Sequence, residues 1–516
     1  MRPYRCLAGL FVCLCWAVAG TLDTWVPARW DGGPLEIVRR ARDKAFAKTL
    51  ADAAVREAIE QWYDPETLGL LEGTPINCLL VTFSAGADPA IERWQQQLVV
   101  DYARLARKRG LAVLGLIYPG ADPEGVAAAA ADAHLDGLVL EGDFPGEAFP
   151  VRLKQILASA NSAALVIRIA RGAAAVRARK APLAAVQGVR PDARNPADMG
   201  IRSGPSGEPW IASNIWLVRS FRLSPDWRPV WISQQPDVAL PGDYIRCAAD
   251  AAVAGGRWIV ALDDGLRAKL RRGDCDAVAA WRKVAIFLQF AEDHADWRRL
   301  EPYGNVAVVL DQYAAEHDGS DEYLNLVARR QVPYRLILRS QLDARALAGY
   351  QAVLAVNLAP PNQSERKVLS AFAAQGGIVI AGPSWGDAPK NEPYAEIALS
   401  KGRLVVYKDD PPDPDAVARD LKDLLSPEQI GITVFNTPSV LTYASTGESG
   451  KCLLVQLLNY SSYPVEAVTV RVNGNFTSAR WYVPDATPVD LSVKKAGGRT
   501  EVYIPKLAVW GGVVLR

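Results

Sequence analysis

Carboxylates and amides recur at one kind of place in this sequence, directly after short apolar runs. Glu141-Gly142-Asp143 follows Gly137–Leu140, Arg190-Pro191-Asp192 follows Ala184–Val189, and Asn214 follows Trp210–Ser213. Gln234 and Gln235 follow Pro229–Ser233, and Asp263-Asp264-Gly265 follows Trp258–Leu262. No His or Cys stands among them. Two carboxyl groups without an imidazole or thiol suit cleavage of a glycosidic bond, where one acid gives a proton to the leaving oxygen and the other stays ionised. Glu141, partly desolvated by the apolar run before it, is the predicted acid, and Asp264 or Asp263 the second carboxylate. Asp143, Asp192, Asn214 and Gln234 are predicted to bind substrate through hydrogen bonds. Trp30, Trp210 and Trp231 are predicted to provide faces on which sugar rings stack. Plainer roles compete with these. Asp264 precedes Gly265 as a helix cap would, and Glu141 could pair with Arg168 or Arg171. The stretch Arg190-Pro191-Asp192-Ala193-Arg194 reads equally as a loop salt bridge, and Trp231 sits inside a strand, where packing is the commoner use.

Such residues need a scaffold that brings strand ends together. After a helical stretch over roughly 34–72, eight apolar runs alternate with helices: the five above plus Ile76–Phe83, Ala112–Tyr118 and Ala164–Ile169. Helices are predicted over Glu92–Arg109, Pro123–His134, Val151–Ser159 and Asp243–Ala254. Strands that are apolar throughout imply a parallel sheet covered on both faces. Eight such units predict a (β/α)8 TIM barrel over residues 21–300, with function at the C-terminal strand ends. The third and eighth runs carry Glu141 and Asp263-Asp264; they are not neighbours, so their tips could face across the mouth. A second set of strands, Val306–Leu310, Tyr334–Leu338, Ala352–Val356 and Gly377–Ala381, alternates with helices and predicts a small doubly wound α/β domain over 301–408. The break Asp409–Pro414 and a helix over Ala416–Leu425 form a linker over 409–431. Short alternating runs over 432–516 predict a C-terminal antiparallel β-sandwich. The fold class is therefore α/β multidomain.

Composition narrows the partners. Half of the 516 residues are hydrophobic, and 58 Lys+Arg nearly balance 57 Asp+Glu, so no basic surface awaits a phosphate backbone and nucleic acid is excluded as a partner. His134, His294 and His317 share no ligand-like spacing, and no P-loop or dinucleotide fingerprint occurs, so neither a metal nor a cofactor is predicted, an all-carboxylate calcium site being the alternative left open. Arg2 and Arg5, the apolar run Cys6–Val18, then Ala19-Gly20 predict a signal peptide over 1–20. The mature chain is then secreted or periplasmic, with no membrane span. Four cysteines remain: Cys78, Cys247, Cys275 and Cys452. Cys247–Cys275 is the favoured pairing after export, and buried free thiols are the alternative. The glycosylation patterns at Asn459 and Asn475 are read as chance in an Ala/Arg-rich, bacterial-looking composition.

Several stretches carry a resemblance to a known family. The segments Asn214–Phe221, Arg228–Pro236, Pro241–Arg246 and Ala254–Ile259 resemble the part of the family-42 β-galactosidases that leads into, and follows, their nucleophile strand. Ala352–Ala359 and Gly376–Ile380 are similar to that family's amidotransferase-like trimerisation domain. The likeness spans roughly residues 205–516. It implies barrel, trimerisation domain and β-sandwich in that order, a carbohydrate partner and a homo-oligomer. The family's nucleophilic Glu falls here on Ser233, and its Asn-Glu pair is not visible. Residues 304–408 hold no Cys and only His317, so the second domain is read as scaffold or oligomer contact rather than an amidotransferase. Two functions follow: a secreted hydrolase of O-glycosidic bonds in an oligo- or polysaccharide, or a non-catalytic glycan-binding or scaffold relative that has lost the family nucleophile.

Overall fold

The structure, a computed structural model, describes residues 22–145, 148–160, 164–170, 185–193, 210–223, 229–234, 240–311, 320–435, 439–447 and 450–516. The expected signal peptide, Arg171, Arg194, Gln235 and His317 lie outside these residues.

Eight parallel strands follow one another in chain order: β1 Pro27–Arg29, β2 Cys78–Ser84, β3 Ala112–Ile117, β4 Gly137–Leu140, β5 Leu165–Ala170, β6 Ala185–Gln187, β7 Trp231–Ser233 and β8 Arg257–Trp258. The cylinder closes where Ala28 pairs in parallel with Val260, the Arg29 amide donating to Val260 at 2.7 Å and the Val260 amide to Pro27 at 3.0 Å. This is the TIM barrel. All seven residues of β2 are buried, as a sheet covered on both faces requires. Asp-Pro pairs start the helices after β2 and β3. Asp88 accepts from the Ala90 amide at 2.8 Å and Asp122 from the Gly125 amide at 2.7 Å, each ahead of a proline whose missing N–H leaves nothing unpaired in the first turn.

One expected strand is corrected. Trp210–Ser213 makes only a single antiparallel bridge, Ala212 to Asp192, and runs into the helix Ile215–Phe221. The missing strand is β1, a proline, an alanine and an arginine that carry no apolar run. Every barrel strand after β1 therefore stands one place later than its order among the apolar runs, as far as β6.

The second unit is a sheet of Val306–Leu310, Tyr334–Leu338, Ala352–Ala355, Ile378–Ala381 and Gly402–Tyr407, all parallel, with Tyr394–Leu399 antiparallel at one edge. The tail supplies an antiparallel sheet of four strands and five of the six strands of a second. The six-stranded one also takes in Glu301–Pro302, directly after the barrel. Leu441, Tyr443, Leu458, Tyr460 and Trp510 of the tail join the barrel's hydrophobic core. A buried polar pin fastens this junction. The Asp250 carboxylate accepts from Ser213 Oγ (2.6 Å), the Asn214 amide (2.8 Å), Asn214 Nδ2 (2.9 Å) and the Tyr460 hydroxyl (2.6 Å). Burial pushes the Asp250 carboxyl above its ordinary range, against those four donors.

The expected Cys247–Cys275 pairing is corrected as well. All four described cysteines are free: Cys247 is buried with its S–H on Gln234 Oε1 at 3.0 Å, whereas Cys275 is exposed at a helix start. Among the described residues, no helix is long and apolar enough to cross a membrane.

Candidate functional site

The C-terminal mouth of the barrel is built around the segment after β1. Strand β1 delivers Arg29, and the chain continues through Asp31 and Gly33 into the helix Pro34–Ala41. Gly33 sits at φ 83°, and a Cβ there would lie 2.4 Å from Gln95 Oε1, so only glycine makes this entry. The helix presents Glu36, Arg39 and Arg40 from one side, because residues three and four apart share a face.

Four arginines and four carboxylates interlock there. Arg29 clamps Glu141 at the end of β4, Nη1 to Oε1 at 2.8 Å and Nη2 to Oε2 at 2.7 Å, and also donates to Asp31 (3.1 Å) and the Tyr118 hydroxyl (2.9 Å). Arg40 clamps Asp264, beyond β8, with one nitrogen on both oxygens (2.5 and 2.6 Å), and donates to Glu36 at 2.5 Å and Asp31 at 3.2 Å. Arg267 reaches Asp31 Oδ1 at 3.0 Å. Arg39 forks onto Glu36, which also accepts from Thr82 Oγ1 at 2.9 Å. Arg29, Arg39, Arg40 and Arg267 against Asp31, Glu36, Glu141 and Asp264 leave no net charge.

Burial alone would raise the Asp31 carboxyl; Arg267, Arg29 and Arg40 outweigh it and hold the group well below the usual carboxylate range. Glu36 is buried too, and Arg39 and Arg40 bring it below its ordinary value. Burial pushes the Tyr118 phenol up, so it serves as a hydrogen-bonding group and not as an acid. Asp31 and Glu36 are sealed in. Glu141 and Asp264 keep side-chain exposures of 17% and 14%, so these two carboxylates show at the surface of the lattice.

The remaining expected site residues are placed as follows. Asp263 caps the helix Asp264–Arg271, accepting from the Leu266 amide at 3.0 Å and from the Tyr244 hydroxyl, so the cap is Asp263 and not Asp264. Asp143 is exposed just beyond Glu141. Asp192 accepts from Arg190 at 2.9 Å. The arginine that holds Glu141 is Arg29, on β1, rather than Arg168 on β5.

Four expected substrate contacts are corrected by burial. Trp30 is 1% exposed, lies 4.9 Å from Trp62 and donates its indole N–H to Tyr102, so it has no face for a sugar. Trp231 is fully buried. Asn214 and Gln234 are buried, Asn214 on Asp250 and the Val189 backbone, Gln234 on Cys247. Trp210 is half-buried against the second domain, with Arg329 5.7 Å over its ring. Arg29, Asp31, Glu36, Arg40 and Arg267 were not among the expected residues. The one signal for them was the spacing Glu36-Arg39-Arg40 on a helix after a Gly-Gly pair. No group of three or more His, Cys, Asp or Glu among the described residues is placed to hold a metal.

This geometry can be set beside known proteins. No family model and no curated protein matches the chain. Among solved structures it is similar to α-L-fucosidase isoenzyme 2 from Paenibacillus thiaminolyticus, at 11% identity and a TM-score of 0.54, over 88% of this chain and 96% of that one. An exo-β-1,4-mannosidase from Opitutaceae bacterium strain TAV5 matches at 11% identity and TM-score 0.40, over 78% and 93%. A β-galactosidase from Bacillus circulans sp. alkalophilus matches at 9% and 0.38, over 83% and 67%. The first likeness shows a fold shared with that α-L-fucosidase; at such identities it concerns the fold alone.

Proposed function

We propose that the protein binds carbohydrate at the barrel mouth without cleaving it, with Glu141 and Asp264 as fixed acceptors for sugar hydroxyls. One observation carries this reading: each of these two partly exposed carboxylates is clamped on both oxygens by an arginine. Glycoside hydrolysis needs one carboxyl to deliver a proton to the leaving oxygen. Here both oxygens of each group already accept, so they present lone pairs instead. The glycosidase-like fold supports a sugar as the ligand. The leader over 1–20 supports export, to the periplasm or beyond the cell.

Hydrolysis by Glu141 with Asp264 or Asp263 is the second reading, favoured by the partial exposure of Glu141 and Asp264 on one rim. Incubation with p-nitrophenyl glycosides of fucose, galactose and mannose separates the two. The expected result is saturable binding by isothermal titration and p-nitrophenol release no faster than in a blank. Release that Glu141→Gln lowers a hundredfold would replace the first reading with the second.

A further inference from the structure

At the pole opposite the mouth lies a groove of about 600 Å³, inside the ~300–1,000 Å³ range of small-ligand clefts. Its walls come from Glu72–Thr74 ahead of β2, the C-terminal half of the helix Cys275–Asp293, and the sandwich turn from Tyr482 to Pro488. Barrel and sandwich must be docked for it to exist. Part of its lining is aromatic. His294 packs 4.3 Å from Phe290, and Tyr482 stands edge-on to it at 5.4 Å. Arg282, Asp293 and Asp485 line the groove as well. Arg282 is exposed and, unlike the arginines of the mouth, has no ion-pair partner among the described residues. Glu72 also lines the groove, and Arg109 neutralises it at 3.7 Å.

A sugar has an apolar C–H face and a hydroxyl edge. Aromatic rings lining the same groove as carboxylates and a guanidinium match both, and with Asp293 and Asp485 against the single Arg282 the lining repels anions, which suits an uncharged ligand. We propose that this groove is a second carbohydrate site, taking a short neutral oligosaccharide at the barrel–sandwich junction. It rests on the carbohydrate reading above and extends it to the opposite pole.

Isothermal titration of the full chain with cellotriose, β-1,4-galactotriose and β-1,4-mannotriose tests this. Ala486→Trp fills the groove from an exposed position, Arg282→Ala removes its donor, and Glu141→Gln alters only the mouth. At least one trisaccharide is expected to bind the wild type. Its affinity should fall tenfold or more in both groove variants and persist in Lys495→Ala, an exposed position outside both groove and mouth. Should Ala486→Trp fail to fold by circular dichroism, Arg282→Ala decides alone. Affinity lost in Glu141→Gln but kept in the groove variants overturns the groove and leaves the mouth reading standing. A trisaccharide series that binds nowhere also overturns the groove, and the aryl glycoside titrations then judge the mouth separately. Saturable binding of spermidine in place of every sugar, lost in Arg282→Ala or Ala486→Trp, assigns the groove to a cation and overturns the proposal.

Discussion

Asp31→Asn tests whether the mouth lattice is one unit. The carboxylate is 3% exposed and accepts from Arg29 at 3.1 Å, Arg40 at 3.2 Å and Arg267 at 3.0 Å. The amide keeps the shape but turns an NH2 toward a guanidinium and leaves the buried group one positive charge in excess. Removing one partner of a buried ion pair costs about 3–5 kcal/mol. For a unit of barrel size, each kcal/mol moves the melting midpoint by roughly 2–4 °C, so a fall of roughly 6–20 °C is expected. Thermal melts read by circular dichroism and by tryptophan fluorescence are suited to this, since Arg267 lies 4.2 Å over the buried Trp62 ring. Arg152→Ala is the reference. Its pair with Glu124 is 56% and 53% exposed, and such pairs contribute at most about 1 kcal/mol. If Asp31→Asn melts no lower than Arg152→Ala, the lattice is not what holds the mouth together.

Asp31 and Glu36 sit below their ordinary values in the folded state, so their contribution is complete above the unfolded carboxylate range and is lost as pH falls through the lowered values. Glu36→Gln should therefore flatten the loss of thermal stability below about pH 4, and an unchanged acid slope would count against the assignment. Gly33→Ala should cost at least about 1–3 kcal/mol, from φ 83° and the Gln95 contact, read as a lower midpoint; a wild-type melt would mean the entry turn relaxes freely. A thiol reagent should label Cys275 in the native protein but Cys78 and Cys247 only after unfolding, because burial pushes both of those thiols up; a Cys247–Cys275 cross-linked peptide in a non-reduced digest would refute this. Asp250→Asn should be tolerated while Asp250→Leu is not: hydroxyls of Ser213 and Tyr460 can turn to accept from an amide, whereas leucine strands four donors at about 1–3 kcal/mol each. The folded Asp250 value is raised, so wild-type stability declines as pH rises through it, and Asp250→Asn should abolish that decline.

The barrel was legible because β2 to β5 are apolar runs spaced by helical stretches, a pattern read without tertiary knowledge. β1 was not, because a three-residue strand of Pro-Ala-Arg is held by its neighbours Leu79 and Val260 and not by its own composition. Trp210–Ser213 has strand composition but spends it on the junction, where Ser213 holds Asp250 and Ile211 enters the core. Glu141 and Asp264 were legible as strand-end carboxylates. Their partners were not, because Arg29 and Arg40 lie 112 and 224 residues away in the chain. Long-range pairing of this kind leaves no local pattern. For the same reason Trp30 looked like a platform: its type suits sugar stacking, and only the fold shows Trp62 against its ring.

The linkage within the mouth sets what a ligand would meet there. Glu141 is held by Arg29 and Asp264 by Arg40, and both arginines also donate to the same oxygen of Asp31. The two surface carboxylates are therefore joined through one buried atom, although one follows β4 and the other β8. Fixing an acceptor in advance removes the ordering cost that a free side chain would incur on binding. It also makes the two acceptors interdependent. A change at Asp31 loosens Arg29 and Arg40 together, so sugar affinity at the mouth should fall further in Asp31→Asn than in either Glu141→Gln or Asp264→Asn taken alone.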